Sequence, residues 1–180
     1  MTDRWDALFA DVAGRLAAER RAELEDEVAE RVRIERARIS LMDRLDAHRG
    51  RTLALETVGG GVVQGEVREV GEDWLRLSTR GGDRLVGRWA VAGVAGLTAR
   101  ARPAGESVAR RVTWVSVLRE LSRDRSSVRV AGSQGGLVEG RVDRVLADHL
   151  DLAVGPTARE ARSVRVIPFE AVAWVGGPGA

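Results

Sequence analysis

Apolar residues recur at steps of three and four through the first 48 positions, and at steps of two from position 52 onward. The first spacing predicts helix and the second predicts strands with one buried face. Trp5, Leu8, Phe9, Val12 and Leu16 open the helical stripe; Leu24, Val28 and Val32 continue it, then Ile39, Met42 and Leu45. Thr2 or Asp3 offers a cap at the start, and Gly50 a stop. The stripe thins to alanines and charges between Leu16 and Leu24, and Gly14 weakens the helix there. Glu27 and Arg31 are spaced for a favourable ion pair. Unbroken, such a helix would run roughly 65 Å, more than a small strand unit can cover. Its last turns are therefore expected to cover the first strand unit. Leu24, Val28 and Val32 are the candidate contacts for coiled-coil self-association or docking.

The strand region is an internal repeat. Gly60-Gly61-x-Val63-x-Gly65-x-Val67-x-x-Val70-x-x-Asp73-x-Leu75-x-Leu77 returns 75 positions later, from Gly135 to Leu152, and the ungapped match extends over 52–77 and 127–152. Shared positions are turn glycines and alternating apolar sites, so the repeat specifies architecture. Each copy reads as about five short strands separated by glycine-rich turns. The first closes with Leu85-Val86 and Ala92-Gly93-Val94, and the second with Val164 to Phe169 and Val172 to Val175. A five-residue insertion within Gly155 to Arg162 makes Trp89 equivalent to Phe169 and Val94 to Trp174. Small twisted sheets of this size remove their edges by curling into a barrel.

Between the copies, Thr98 to Gly105 reads as a boundary, and Ser107 to Arg123 as a second helix with the stripe Val108, Val112, Val115, Leu118, Leu121. Leu41-Met42-x-x-Leu45 matches Val117-Leu118-x-x-Leu121 at an offset of 76, so the duplicated unit is helix plus strands. The predicted organisation is α+β: a long N-terminal helix (1–49), a first five-stranded small barrel (50–98), a linker and helix (99–125), and a second barrel (126–177).

Gly-x-Val-x-x-Val-x-x-Asp-x-Leu-x-Leu resembles the second and third strands of Sm-like and SH3-like small barrels. Val166-Ile167-Pro168-Phe169-Glu170-Ala171-Val172 is similar to the short turn before their last strand. The resemblance covers about 100 of the 180 residues. It implies tandem barrels, and for true Sm proteins it would imply RNA binding. The residues that serve that binding in the family do not carry over. Gly71 and Leu146 stand where an Asp follows the second-strand apolar residue, and the chain contains no Asn.

Composition changes the picture in three ways. Lys, Asn, Tyr and Cys are absent, which points to a high-GC genome such as an actinobacterium and removes disulfides and thiolate metal sites. Every basic residue is Arg, so the pI is high although the net charge is only +2. No apolar run approaches the roughly 20 residues of a membrane span, and no charged-then-apolar leader opens the chain, so a soluble cytoplasmic protein without a membrane partner is expected. The basic concentration is the connector, with six Arg against three acids over 101–126.

Catalytic patterns are not found. His48 and His149 are a hundred residues apart, Asp73 and Asp148 sit in turns, and the Gly59-Gly60-Gly61 run lacks the Lys and helix of a phosphate loop. No cofactor, metal or catalytic residue is expected. The preferred reading is a non-catalytic interaction or scaffold module that binds a protein partner or itself. Alternation turns Trp74 and Arg76 outward from the first copy, making them candidate partner anchors. The alternative is an Sm-like RNA or DNA binder that uses Arg110, Arg111, Trp114 and Arg119 of the connector.

Overall fold

The computed structural model describes residues 2–103, 108–155 and 163–178, together with the backbone alone for parts of the first helix. The chain is α+β, with one long N-terminal helix and a ten-stranded antiparallel sheet that does not close. It divides into two compact units, residues 1–39 and 40–180.

The first unit is α1, Thr2–Ala37, a helix of 36 residues. Leu16, Leu24, Val28, Val32 and Ile34 are exposed along it, and Arg31 pairs with Glu27 at 2.9 Å. The side chains of Trp5, Leu8, Phe9 and Val12 lie outside the described residues. The predicted single helix over 1–49 is corrected: it ends at Ala37, and a separate short helix, α2, runs over Leu41–Asp46. The cause is a capping box. Ser40 accepts from the Asp43 backbone N–H, and the Asp43 carboxylate accepts from the Ser40 N–H. A serine satisfying the orphan donors of a new helix start ends the preceding helix at the same place.

The second unit holds the sheet. Its strands are β1 (Thr52–Thr57), β2 (Val62–Val70), β3 (Trp74–Thr79), β4 (Gly82–Gly87), β5 (Val91–Ala95), β6 (Ser127–Gly132), β7 (Leu137–Val145), β8 (His149–Val154), β9 (Ser163–Pro168) and β10 (Val172–Gly176). Their spatial order is β5-β1-β2-β3-β4-β10-β6-β7-β8-β9. The same five-strand order thus occurs twice, and the halves are joined where β4 pairs with β10. A single 3-10 turn precedes the last strand of each half, at Arg88–Ala90 and Phe169–Ala171. Helix α2 packs on β2, and α3 (Trp114–Asp124) packs on β7. The predicted second helix over 107–123 is shortened. A 3-10 turn at Val108–Arg111 comes first, and Thr113 then caps α3. Ser107 and the linker around Gly105 lie outside the described residues, as does 156–162, where the second copy carries its insertion.

Strand pairing confirms the repeat at the level of local distortions. β2 bulges between Val67 and Glu69, and β7 between Val142 and Arg144, 75 positions on. Bulges bend the long strands and sharpen their twist. Gly65 and Gly140 sit where β2 and β7 turn against their neighbours. A Cβ on Gly65 would lie 2.6 Å from the Ser78 carbonyl oxygen, and one on Gly140 2.5 Å from that of Ala153.

Pairing also corrects the alignment after β3. Leu55 faces Val94 while Val130 faces Val175, so Val94 is equivalent to Val175, and Trp174 to Gly93. The insertion is six residues, one more than expected.

Each half has an apolar core. The first gathers Leu45, Leu53, Leu55, Val67, Leu75, Leu77 and Val86. The second gathers Leu118, Val128, Val130, Val142, Leu150, Leu152 and Val175, and also takes Trp74 from the first half. Gly65→Ala and Gly140→Ala should each lower stability by about 1–3 kcal/mol through overpacking against backbone. Urea unfolding should show a shifted midpoint with an unchanged slope in both variants.

Candidate functional site

The residues singled out by sequence divide between the halves' junction, the connector and α1. Trp74 begins β3 and points away from the first core, as alternation requires. It is nevertheless 5% exposed, because the connector and the second half cover it. Its indole N–H donates to the Val112 carbonyl at 2.9 Å. Gly71 makes room for the ring: a Cβ there would meet the indole nitrogen at 2.1 Å. Trp74 is therefore corrected from an exposed partner anchor to a buried internal one. The reason is that strand periodicity tells which face a residue occupies and not what lies beyond that face.

Arg76, on the same face, is half-buried. Its Nη1 donates to Asp83 at 2.9 Å, and Glu69 lies 3.3 Å from its Nε. These groups edge a groove of about 980 Å³ between β4, β10 and α3, floored by Val70, Trp74, Leu85, Val117 and Val175. Arg76 stands between two carboxylates, Glu69 and Asp83, so this edge of the groove carries net negative charge.

The connector is mostly consumed by the fold. Arg110 is buried, with Nη2 donating to Asp43 Oδ1 at 2.8 Å and Nη1 to the Gly71 carbonyl. Trp114, 1% exposed, packs edge-on to Trp89 with centroids 5.2 Å apart. Its backbone N–H donates to Asp73 at 2.7 Å, so the carboxylate in that turn caps α3. Arg111 and Arg119 are exposed. Of the four residues read as a nucleic-acid surface, Arg110 and Trp114 are inside, which removes the interleaving of cations and aromatics that single-strand binders use.

Helix α1 keeps its candidate residues in view: Leu24 is 62% exposed, Val28 59% and Val32 39%. His48 is buried. Its Nε2 accepts from the Thr98 N–H at 3.1 Å, which leaves Nδ1 as donor to the Arg44 carbonyl, 2.7 Å away. His149, equivalent to Trp74, lies 2.6 Å from the exposed Asp148 carboxylate, and this contact lowers the Asp148 pKa. Among the described residues no group of three His, Cys, Asp or Glu side chains is arranged to hold a metal. Nor, among them, is any helix long and apolar enough to cross a membrane.

No protein family, curated protein or solved structure matches the chain.

Sequence reading missed Asp43 and Arg110 as a pair, though Ser40-x-x-Asp43 carried a legible capping signal. Burial raises the Asp43 pKa, but hydrogen bonds from Ser40 and the Arg110 guanidinium more than offset it, and the net shift is downward. A carboxylate with a depressed pKa adds stability above its unfolded value, and loses it as pH falls through the folded one. Asp43→Asn should therefore be destabilised at pH 7 by about 3–5 kcal/mol, the usual cost of leaving a buried partner charge unpaired. Urea titrations should show the gap to wild type narrowing below about pH 4. Trp74→His, which installs the other copy's residue, should cost about 3 kcal/mol or more in the same measurement.

Proposed function

We propose that the protein is a non-catalytic interaction or scaffold module, in which tandem small barrels of the Sm-like or SH3-like kind form a rigid body and α1 mediates self-association or docking. The observation that carries this is the exposed Leu24, Val28 and Val32 stripe on a helix that forms a compact unit by itself. Isolated helices draw little stability from propensity alone, and in proteins most helices are held by an apolar face packed on a partner. A 36-residue helix with uncovered leucine and valine is therefore best understood as half of an interface.

The non-catalytic part of the reading is supported by the occupation of the titratable groups. His48 is bonded to backbone, Asp73 caps α3, and Asp43 is paired with Arg110. A cytoplasmic location belongs to the same proposal and is supported by a cysteine-free chain. In a second copy of the chain, or in a protein partner, the matching element would be an amphipathic helix.

Leu24→Ala, Val28→Ala and Val32→Ala combined should reduce the mass measured by light scattering after size exclusion, or abolish capture of a helical partner, with the sheet's unfolding midpoint unchanged. An unchanged mass and unchanged partner capture would count against α1 as the interface. Tight binding of a pooled RNA at low salt, where phosphate contacts are strongest, would favour the nucleic-acid alternative instead.

A further inference from the structure

Two arginines flank a glycine at the junction of the halves. Arg84 on β4 and Arg129 on β6 are each directly opposed to Gly176 of β10, so all three lie on one face of the sheet. Two strand spacings, roughly 10 Å, separate their Cα atoms, and two arginine side chains can converge on one group across that gap. Gly176 puts no side chain between them. Arg84 lies over it: a Cβ there would meet Arg84 Nη1 at 2.5 Å.

Among the described residues neither guanidinium forms an ion pair with a carboxylate. Asp83 pairs with Arg76 at 2.9 Å, and Glu66 with Arg68 at 3.0 Å. Glu139 stands opposite Arg129 on β7 without closing on it. Backbone carbonyls hold the two cations instead. Arg84 Nη1 donates to that of Asp83 and Arg129 Nε to that of Gly177, each at 3.1 Å. Arg84 also stacks 4.2 Å above the Trp174 ring, which accounts for its own position and not for that of Arg129. Burial and then the charge of Arg129 lower the Arg84 pKa, so the like charges are felt. Arg84 further lines a cavity of about 690 Å³ beside the β3–β4 turn, with Thr52, Gln64, Ser78 and Arg80.

We propose that this site binds a small phosphate ester, its phosphate held by Arg84 and Arg129 and its hydroxylated body reaching into the cavity. The site shares no residue with α1 and does not rest on the self-association reading.

Charge selects the head group. One guanidinium fork satisfies a carboxylate, whereas a phosphate monoester brings nearly two charges and three strong acceptor oxygens. The Thr52 and Ser78 hydroxyls and the Gln64 amide can pair with hydroxyls on the body. Extent selects a compact ligand. Glu139 borders the positive patch on the Arg129 side and Glu66 on the cavity side, so an extended polyanion would run over carboxylates. The ring at the site, Trp174, is already stacked with Arg84. It does not offer the free face on which single-strand binders stack a base.

Isothermal titration calorimetry of the full chain with myo-inositol monophosphate, inorganic phosphate and myo-inositol, at matched ionic strength, tests the assignment. Saturable binding of the ester, weaker binding of inorganic phosphate and none of the polyol are expected. Arg129→Gln should weaken binding about tenfold or more, the loss of a charge-assisted contact. Glu139→Gln, which removes the neighbouring carboxylate, should tighten it several-fold. The ester should raise the thermal midpoint of wild type and leave that of Arg129→Gln nearly unmoved. Arg84→Gln should weaken binding as well. It also removes the stack on Trp174, so Arg129→Gln decides if that variant misfolds.

No saturable binding of either phosphate, or an affinity unmoved by Arg129→Gln, overturns the site. Inorganic phosphate bound as tightly as the ester overturns the part given to the cavity. A pooled single-stranded RNA bound more tightly than the ester, with the same loss on Arg129→Gln, overturns the small-ligand reading in favour of a nucleic-acid backbone.

Discussion

The second unit depends on the pairing of β4 with β10 and on the tryptophans gathered about it. A half of about fifty residues buries too little surface to be secure alone. Here neither half is asked to. Trp74 leaves the first half and enters the second core, while Trp174 leaves the second and packs against the first. Trp89 touches both cores, meets Trp114 edge-on, and donates its N–H to the Phe169 carbonyl at 2.7 Å. Two backbone pairs would be a thin connection. Four indoles, and a guanidinium stacked on one of them, add side-chain packing to those two pairs.

This changes the meaning of the places where the repeat disagrees with itself. Trp74 stands against His149, and Trp174 against Gly93, so two large departures from internal symmetry are both at the junction. Gly71 against Leu146 is a third, because a side chain at 71 would overlap the Trp74 ring. Divergence between the copies has gone into joining them. The connector follows the same logic. Arg110 reaches Asp43 in the first turn of α2 and the Gly71 carbonyl in the turn before Trp74, fastening the linker over the indole. A buried pair of this kind adds little net stability against an apolar substitute, but it fixes the path of the chain between the halves.

The elements of the sheet were legible because turn glycines and period-two alternation are local signals. The two similar sets of five short strands follow from them. What was not legible depended on nonlocal packing. Alternation put Trp74 on the outer face and could not say that α3 and β10 would cover it. The equivalence of β5 and β10 was off by one residue, since Trp89 and Phe169 align well by type and only cross-strand pairing shows otherwise. Ser40-x-x-Asp43 was readable as a helix start, but a continuous apolar stripe through Ile39 and Met42 masked it.

The junction also sorts the surface into settled and unsettled parts. Arg110, Trp114, Asp73 and His48 have partners within the chain, and each residue so occupied is unavailable for recognition. Among the described residues, the exposed apolar groups include the Leu24, Val28, Val32 stripe on α1 and the Val164, Val166 pair on β9. Scattered exposed apolar residues are ordinary, whereas residues aligned along one helix or one strand edge share a direction of approach. A helix stripe accepts a helix, and a strand edge accepts a strand. Among the described residues the chain therefore presents two chemically distinct apolar surfaces, one on a helix and one on a strand.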